Sequence, residues 1–215
     1  MAEIWWDDTV SILNYGLVSQ RNIAELNTLA SAIIRKRDYD GVLKCFNELL
    51  SISALTDPQQ LLEKEQRIDH IQEEFCRNRI EIMKEAKLLK ELRHTNDAYI
   101  ERIGSEIAEA QKICREKQAA SAKVRPDNSL DLIRKRVYEL TTSKVVAENF
   151  SAQLKLSEDN AFDMAEKLWN ALATILPLLR GSISIEADKT RAVRTGKLIR
   201  EMITDISNKY GEAQK

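Results

Sequence analysis

The chain has 215 residues, 43% of them hydrophobic and 31% charged, and its 33 Lys and Arg residues nearly balance its 34 Asp and Glu residues. A formal net charge of −1 creates no global attraction toward nucleic acid or an anionic membrane. Only six glycines and three prolines interrupt a sequence rich in Lys, Glu, Leu, Ala and Ile, so we predict an all-α fold with few loops.

The sequence also bears on location and on cysteine chemistry. No apolar run approaches the roughly 20 residues that cross a bilayer, and the first eight residues lack the basic start and apolar centre of a secretory signal. We therefore expect a cytoplasmic protein, with peripheral contact at the inner face of the membrane left open. Cys45, Cys76 and Cys114 are widely spaced and odd in number, so neither a disulfide framework nor a zinc site is indicated.

Residues 1–55 are predicted to form short helices. Trp5 and Trp6 are expected to dock onto the rest of the protein, because two exposed tryptophans would favour aggregation. A helix with one apolar face follows and ends at the basic group 35–37, whose charge complements the helix dipole. Residues 38–41 have the composition of a turn and cap, and a second short amphipathic helix comes after them.

A long helix from Pro58 to about Ala120 is the largest predicted element. Between Pro58 and the next proline, Pro126, the only glycine is Gly104. Steps of seven stay apolar apart from one polar break at Asn96, through Leu61, Ile68, Phe75, Ile82, Leu89, Asn96, Ile103 and Ala110. Such a seam is typical of a coiled coil, and we interpret Asn96 as a polar residue that sets the register with a partner across the seam.

A second long apolar pattern begins at Leu130 and continues to Leu179 at spacings of three and four. Because the connection between the two long helices is short, they are expected to be antiparallel neighbours. Residues 57–180 are therefore predicted to form a long helical hairpin, with a kink at Pro177 and a break near Gly181.

A last helix is predicted within residues 183–215, and its basic residues recur at every third position: Arg191, Arg194, Lys197 and Arg200. A second basic group lies at the start of the second long helix, at Arg134, Lys135 and Arg136. Both groups are candidates for binding a protein partner or an anionic group such as a phosphate or lipid head group. The alternative is a solvated helix face paired with neighbouring carboxylates.

Several degenerate helical motifs occur along the chain in a recognisable order, at Ile12–Gly16, Ala24–Asn27, Ile34–Asp40, Leu43–Leu50, Ile68–His70, Ile82–Lys84, Ile133–Leu140 and Thr174–Leu179. In this order they resemble segments of the TelA family of toxic anion (tellurite) resistance proteins. The segment Ile133–Leu140, for example, reads I-R-K-R-V-Y-E-L and is similar to the family pattern F-E-K-R-I-Y-D-L.

The chain departs from the family pattern at two places. The basic spacer before the long helix is reduced to about residues 52–60, and Leu179 stands where the family usually has tryptophan. The resemblance implies a role in tolerance of tellurite and other toxic compounds. It supplies no catalytic residue, because the family has none established.

Candidates for catalysis or metal binding are few. Glu91 and His94 form a Glu-x-x-His on one helix, but a di-iron bundle needs two such copies and two further carboxylates. Thiols react with tellurite, yet buried cysteines are usually small core hydrophobes. The sequence has no Gly-rich phosphate loop and no nucleophile elbow, so we predict no catalytic residue, no metal site and no cofactor, and we expect a protein that is not an enzyme.

Two functions from different classes are consistent with these patterns. The first is a non-enzymatic cytoplasmic stress-response protein of the TelA type, an elongated helical scaffold that binds protein partners. The second is a binding module whose basic faces contact an anionic membrane surface or nucleic acid, of which nucleic acid is the less favoured.

Overall fold

The computed structural model describes residues 10–35, 39–54, 61–121, 128–184 and 189–210. Its helices are α1 (Leu17–Arg35), α2 (Tyr39–Ala54), α3 (Leu61–Ser121), α4 (Asn128–Asn170), α5 (Leu176–Ser184) and α6 (Lys189–Tyr210). A short helical segment at residues 10–14 precedes α1, and a π-helical segment, Ala171–Ile175, joins α4 to α5. No strand occurs in these ranges, which confirms the predicted all-α fold. None of the described helices is long and apolar enough to span a bilayer.

Contacts group the chain into two compact units, and each contains part of α3 and part of α4. The first unit comprises Met1–Arg35 and Leu88–Ser157, and the second comprises Lys36–Lys87 and Glu158–Lys215. The division of the chain that the sequence predicts, into segments 1–55, 57–180 and 183–215, stays a prediction.

In the first unit α3 and α4 run antiparallel. Three buried clusters each contain residues of both helices: Ala110 with Ile133, Ile103 with Leu140, and Leu89 with Leu154. The α3 numbers fall as the α4 numbers rise, which is the order expected in an antiparallel pair. The heptad positions predicted on α3 therefore lie against α4, as the predicted hairpin requires.

Helix α1 and the segment before it complete the core of the first unit. Ile12, Ile23 and Ala30 each belong to one of the three clusters, so this stretch follows the pair of long helices along its length. Its direction changes at Gly16, which has a φ of 71°. A β-carbon there would clash with Cδ2 of Leu140, so both the backbone conformation and the close approach require glycine.

In the second unit the same two helices again run antiparallel, and α2 and α6 pack on them. The guanidinium of Arg79 lies 4.9 Å from the ring centroid of Trp169. One apolar core contains residues of α2, α3, α4 and α6. At its α2–α3 contact the rings of Phe46 and Phe75 have centroids 4.8 Å apart.

The structure differs from the sequence expectations near two glycines. Residues 39–41, predicted as part of a turn, form the first turn of α2. Gly181, predicted as a break, lies inside α5, which continues to Ser184. Pro177 cannot donate a backbone hydrogen bond, and the π-helical segment accommodates it, because the N–H of Leu176 donates to the carbonyl of Ala171 five residues earlier.

Two further expectations concern residues that the structure does not describe. Trp5 and Trp6, expected to dock, lie outside the described residues. The predicted start of the long helix at Pro58 also lies outside them.

Asn96 is fully buried on the α3 seam of the first unit. Its side-chain Nδ2 donates a hydrogen bond to the carbonyl oxygen of Ala147 at 2.9 Å, while its Oδ1 has no protein partner. The predicted partner across the seam is therefore the backbone of α4. Ala147 is itself fully buried, and its small side chain leaves room for the amide.

We expect Asn96→Leu to raise the free energy of unfolding by about 1 kcal/mol, because it replaces one net hydrogen bond and a buried unpaired oxygen with apolar contact. Asn96→Ala loses the hydrogen bond and leaves a cavity, so it should lower the free energy of unfolding by about 1–2 kcal/mol. Urea denaturation of both variants measures these changes. A loss of stability in Asn96→Leu as large as in Asn96→Ala would show that the hydrogen bond outweighs the apolar gain.

Gly16→Ala should lower the free energy of unfolding by about 2–4 kcal/mol, because a left-handed alanine is strained and its methyl group would displace Leu140. The matched control is Gly181→Ala, since nothing lies within 4 Å of a β-carbon at that helical position. This control should raise stability by about 0.5–1 kcal/mol. Equal effects of the two substitutions, measured by urea denaturation, would contradict the conformation assigned to Gly16.

Candidate functional site

The inner face of α6 packs against the rest of the second unit. Thr195, Ile199 and Ile206 are buried there. A β-carbon at Gly196 would lie 3.4 Å from Oγ of Ser53, so α6 and α2 approach each other closely at this point. This packing leaves the opposite face of α6 toward solvent.

That outer face of α6 carries two of the predicted basic residues, Lys197 and Arg200, and both are exposed. Lys197 Nζ lies 3.8 Å from Oε1 of Glu201, and Nε of Arg200 donates to the carbonyl of Gly196 at 3.3 Å. Exposed pairs of this kind contribute little to stability, so an external anion can replace these partners at low cost. The side chains of Arg191 and Arg194 lie outside the described residues.

A shallow depression follows the same face of α6, lined by Lys197, Arg200, Glu201, Thr204, Asp205 and Asn208. Cationic groups lie toward its first turn and carboxylates lie beyond them. The face therefore offers hydrogen-bond donors and acceptors of both charge signs, an arrangement that suits a polar protein surface better than a uniformly anionic one.

A charged network that the sequence analysis missed ties α4 to α6. Lys167 Nζ lies 3.0 Å from a carboxylate oxygen of Asp163 and also contacts Asp205, while Lys209 Nζ lies 2.9 Å from Asp163. Burial lowers the pKa of Lys167, but hydrogen bonds to Asp205 and Asp163 outweigh burial and leave the pKa above its ordinary value. Lys167 therefore stays charged and holds α6 in place. In the sequence, the spacing of four residues between Asp163 and Lys167 indicated that these two side chains could pair on one helix face.

The second predicted basic group, in the first unit, divides between surface and interior. Arg134 and Lys135 are exposed, and Arg134 lies 3.5 Å from the carboxylate of Asp131. Arg136, by contrast, is only 7% exposed. The sequence pattern did not distinguish these three neighbours, because their surroundings depend on α1.

The guanidinium of Arg136 fixes the turn before α1. Its Nε donates to the carbonyl oxygen of Tyr15 at 3.1 Å, and its NH2 group also contacts that oxygen. The remaining donors bind Oε2 of Glu139 at 3.0 Å and Oε1 of Gln20 at 3.2 Å. Arg136 is thus committed to an internal network and does not extend the exposed basic surface.

The hydroxyl of Tyr15 belongs to the same turn. Burial raises its pKa, and the neighbouring Glu109 raises it further. Tyr15 therefore stays neutral in the physiological range and acts as a packing and hydrogen-bonding residue.

The residues considered for chemistry are scattered. Glu91 and His94 are both exposed on α3. Within the described ranges, no three His, Cys, Asp or Glu residues are grouped in a way that could hold a metal ion. Cys76 is exposed, Cys45 and Cys114 are partly buried, and these three cysteines form no disulfide. The exposed faces of the helices are a separate candidate for function.

Two curated proteins are similar to this chain over most of its length. It is 20% identical to a TelA-like protein of Staphylococcus saprophyticus, a match that covers 97% of this chain and 68% of that protein. It is also 20% identical to a TelA-like protein of Staphylococcus haemolyticus, with 94% of this chain and 63% of that protein covered. No protein-family model matches the sequence, and no solved structure matches it significantly. The chain thus spans about two thirds of the length of these relatives, and its resemblance to the TelA family is confirmed.

The burial of Arg136 leads to a stability prediction. Arg136→Met should lower the free energy of unfolding by about 2–4 kcal/mol, because it leaves the Tyr15 carbonyl and Gln20 without their donor. Arg134→Met is the matched control two residues away, and its exposed ion pair should be worth less than about 1 kcal/mol. Urea denaturation compares the two variants. Similar small losses would contradict the internal role of Arg136.

Proposed function

We propose that this chain, which is similar to TelA-like proteins over most of its length, is a non-enzymatic helical scaffold that contributes to tolerance of tellurite and other toxic anions. In this proposal it acts in the cytoplasm, as a stress-response protein that recruits protein partners. The observation that carries the proposal is the extent of the similarity, since it includes the helices of both units.

The distribution of polar groups supports a scaffold more than a catalyst. Several buried or mostly buried polar side chains join one helical segment to another through hydrogen bonds or ion pairs, namely Asn96, Arg136 and Lys167. Lys197 and Arg200, by contrast, have only weak local partners on an exposed face. A coiled-coil-like pair of long helices gives such a face a rigid support, which suits recognition of another surface.

The second candidate function is a binding module for an anionic membrane surface or nucleic acid. The exposed Lys197 and Arg200 favour it, but Glu201 and Asp205 on the same depression oppose a uniformly negative ligand. Salt separates the two candidates. Binding to anionic vesicles or to DNA should weaken steeply with added salt if the module proposal is correct.

The experiment that tests the scaffold reverses the charges of α6, with Arg191→Glu, Arg194→Glu, Lys197→Glu and Arg200→Glu combined. We expect this variant to keep its helicity by circular dichroism but to lose at least about tenfold in partner capture from the native cell and in tellurite tolerance, since interface charges contribute to recognition. The matched control reverses four exposed charges on α3, at Lys87, Lys90, Lys112 and Arg115. It changes the net charge equally and should retain capture.

A cysteine-free variant provides the second arm of this experiment. Cys45→Ser, Cys76→Ala and Cys114→Ala together should leave tellurite tolerance largely intact, because a thiol reductase needs a reactive pair or a redox cofactor. The scaffold proposal would be contradicted if the cysteine-free protein folded normally but protected no cells while the charge-reversed protein still protected them. That result would favour a mechanism based on thiol chemistry.

A further inference from the structure

A cation without a carboxylate partner lies at the surface of the second unit. The guanidinium of Arg79 on α3 is stacked 4.9 Å from the ring centroid of Trp169 on α4. Nε of Arg79 is buried without a hydrogen-bond partner, and in the described part of the chain the guanidinium forms no ion pair. Trp169 is 52% exposed, so the stacked pair is open to solvent. An arginine stacked on an aromatic ring keeps its capacity to bind a carboxylate.

The side chains around this pair are large, apolar and exposed. On α3, Ile80 and Met83 lie on one helix face, and on α4 Phe162 lies two turns before Trp169 on the same face. The exposed thiol of Cys76 lies one turn before Ile80. We call this surface the aromatic face, and it consists of Cys76, Arg79, Ile80, Met83, Phe162 and Trp169.

The aromatic face lies on the side of the two long helices that α2 and α6 do not contact. Helix α2 meets α3 at Arg67, whose Nε lies 3.0 Å from Oε1 of Glu48, and α6 meets α4 at Lys167. At about 100° per residue, Arg67 lies on the side of α3 opposite Cys76, and Lys167 lies on the side of α4 opposite Trp169. The described helices of the second unit therefore pack on one side of the pair and leave the aromatic face uncovered.

The composition of the aromatic face is typical of a protein-binding surface. Trp, Phe, Met and Arg are enriched in protein interfaces, and Trp and Arg provide many of the residues that dominate binding energy. A uniformly anionic membrane fits the borders poorly, because exposed Glu73 and Glu166 lie at the outer edges and exposed Lys87 at one end. At the other end Arg180 is paired with Asp69. Any protein that covers this face must also cover the unpaired cation at Arg79.

We propose that the aromatic face binds an amphipathic helix of another protein, and that a carboxylate within the apolar stripe of that helix binds Arg79. A helix laid between α3 and α4 places its apolar side chains against Met83 and Phe162, as in other complexes where a helix fills a groove. A carboxylate in that stripe is required because a cation buried without an anion is costly. This inference rests on the proposed function only in taking a protein as the partner.

Helical peptides of about 20 residues, about 30 Å long, test the proposal with the purified whole chain. Three peptides share one leucine stripe and neutral Gln and Ala flanks, and they differ only in a central stripe residue, which is Glu, Gln or Lys. We expect the Glu peptide to bind at least about tenfold more tightly than the Lys peptide, with the Gln peptide between them, because only Glu pairs with Arg79. Fluorescence anisotropy of labelled peptides measures the affinities.

Two variants assign the binding to the aromatic face. Arg79→Met should abolish the preference for Glu over Gln, and Trp169→Ala should weaken binding of the Glu peptide at least about tenfold. Arg77→Met is the matched control, because this exposed arginine two residues away lies 3.0 Å from Glu74 in an ion pair. Circular dichroism spectra equal to that of the unmodified chain establish that the variants are folded. The proposal is overturned if the Glu peptide does not bind, if its preference survives Arg79→Met, or if Arg77→Met removes that preference equally.

The emission of Trp169 distinguishes the peptide from other occupants. Trp5→Phe with Trp6→Phe leaves Trp169 as the sole tryptophan, and its emission should shift to shorter wavelength when the Glu peptide binds. Peptide binding without this shift places the peptide elsewhere. A shift caused instead by vesicles of phosphatidylglycerol and phosphatidylcholine assigns the face to a membrane, and a shift caused by concentrating the chain alone assigns it to a second copy. Each of these three results overturns the proposal, and none of them depends on tellurite tolerance or on the charges of α6.

Discussion

The repeat of seven on α3 is the constraint on which the rest of the structure depends. In the first unit Leu89, Ile103 and Ala110 of this series are fully buried, and each shares a cluster with α4. Neither long helix could bury its apolar stripe alone, since an isolated helix exposes all its sides to water. The antiparallel pair removes that exposure, and the remaining helices pack on a surface that the pair has already defined.

Charged groups inside the units fix the positions of the helices that pack on this pair. Arg136 is tied to the Tyr15 carbonyl and Lys167 to Asp163 and Asp205, so the first fixes the approach to α1 and the second fixes α6. Both cations are mostly buried, and leaving either without its acceptors would cost several times more than an exposed ion pair contributes. The exposed Lys197 and Arg200 are under no such constraint, since their local contacts, with Glu201 and Gly196, are made by solvent-exposed side chains.

Periodic features were predictable from the sequence, whereas features that depend on distant atoms were not. The long helices and their antiparallel order follow from apolar spacing and a short connection, and the burial of Asn96 follows from its place in the series. The burial of Arg136 depends on a carbonyl 121 residues away in the sequence. Its neighbours Arg134 and Lys135 are also basic, yet they remain exposed. Gly181 looked like a break because glycine is a poor helix former, yet the burial of Leu176 and Leu179 beside it outweighs that weak preference.

The two faces of α4 in the first unit differ in what they contribute to folding. Its inner seam buries Leu140 and Leu154 completely, so that face is consumed in forming the unit. Charged residues on the face opposite the core usually keep a helix soluble. Here Val145 and Leu156 occupy that opposite face of α4, and Glu148 and Lys155 lie at its edges. Exposed valine and leucine at heptad spacing reduce solubility while they remain uncovered, and nothing within the unit gains from them. Folding of the unit therefore does not by itself account for these exposed apolar residues of α4.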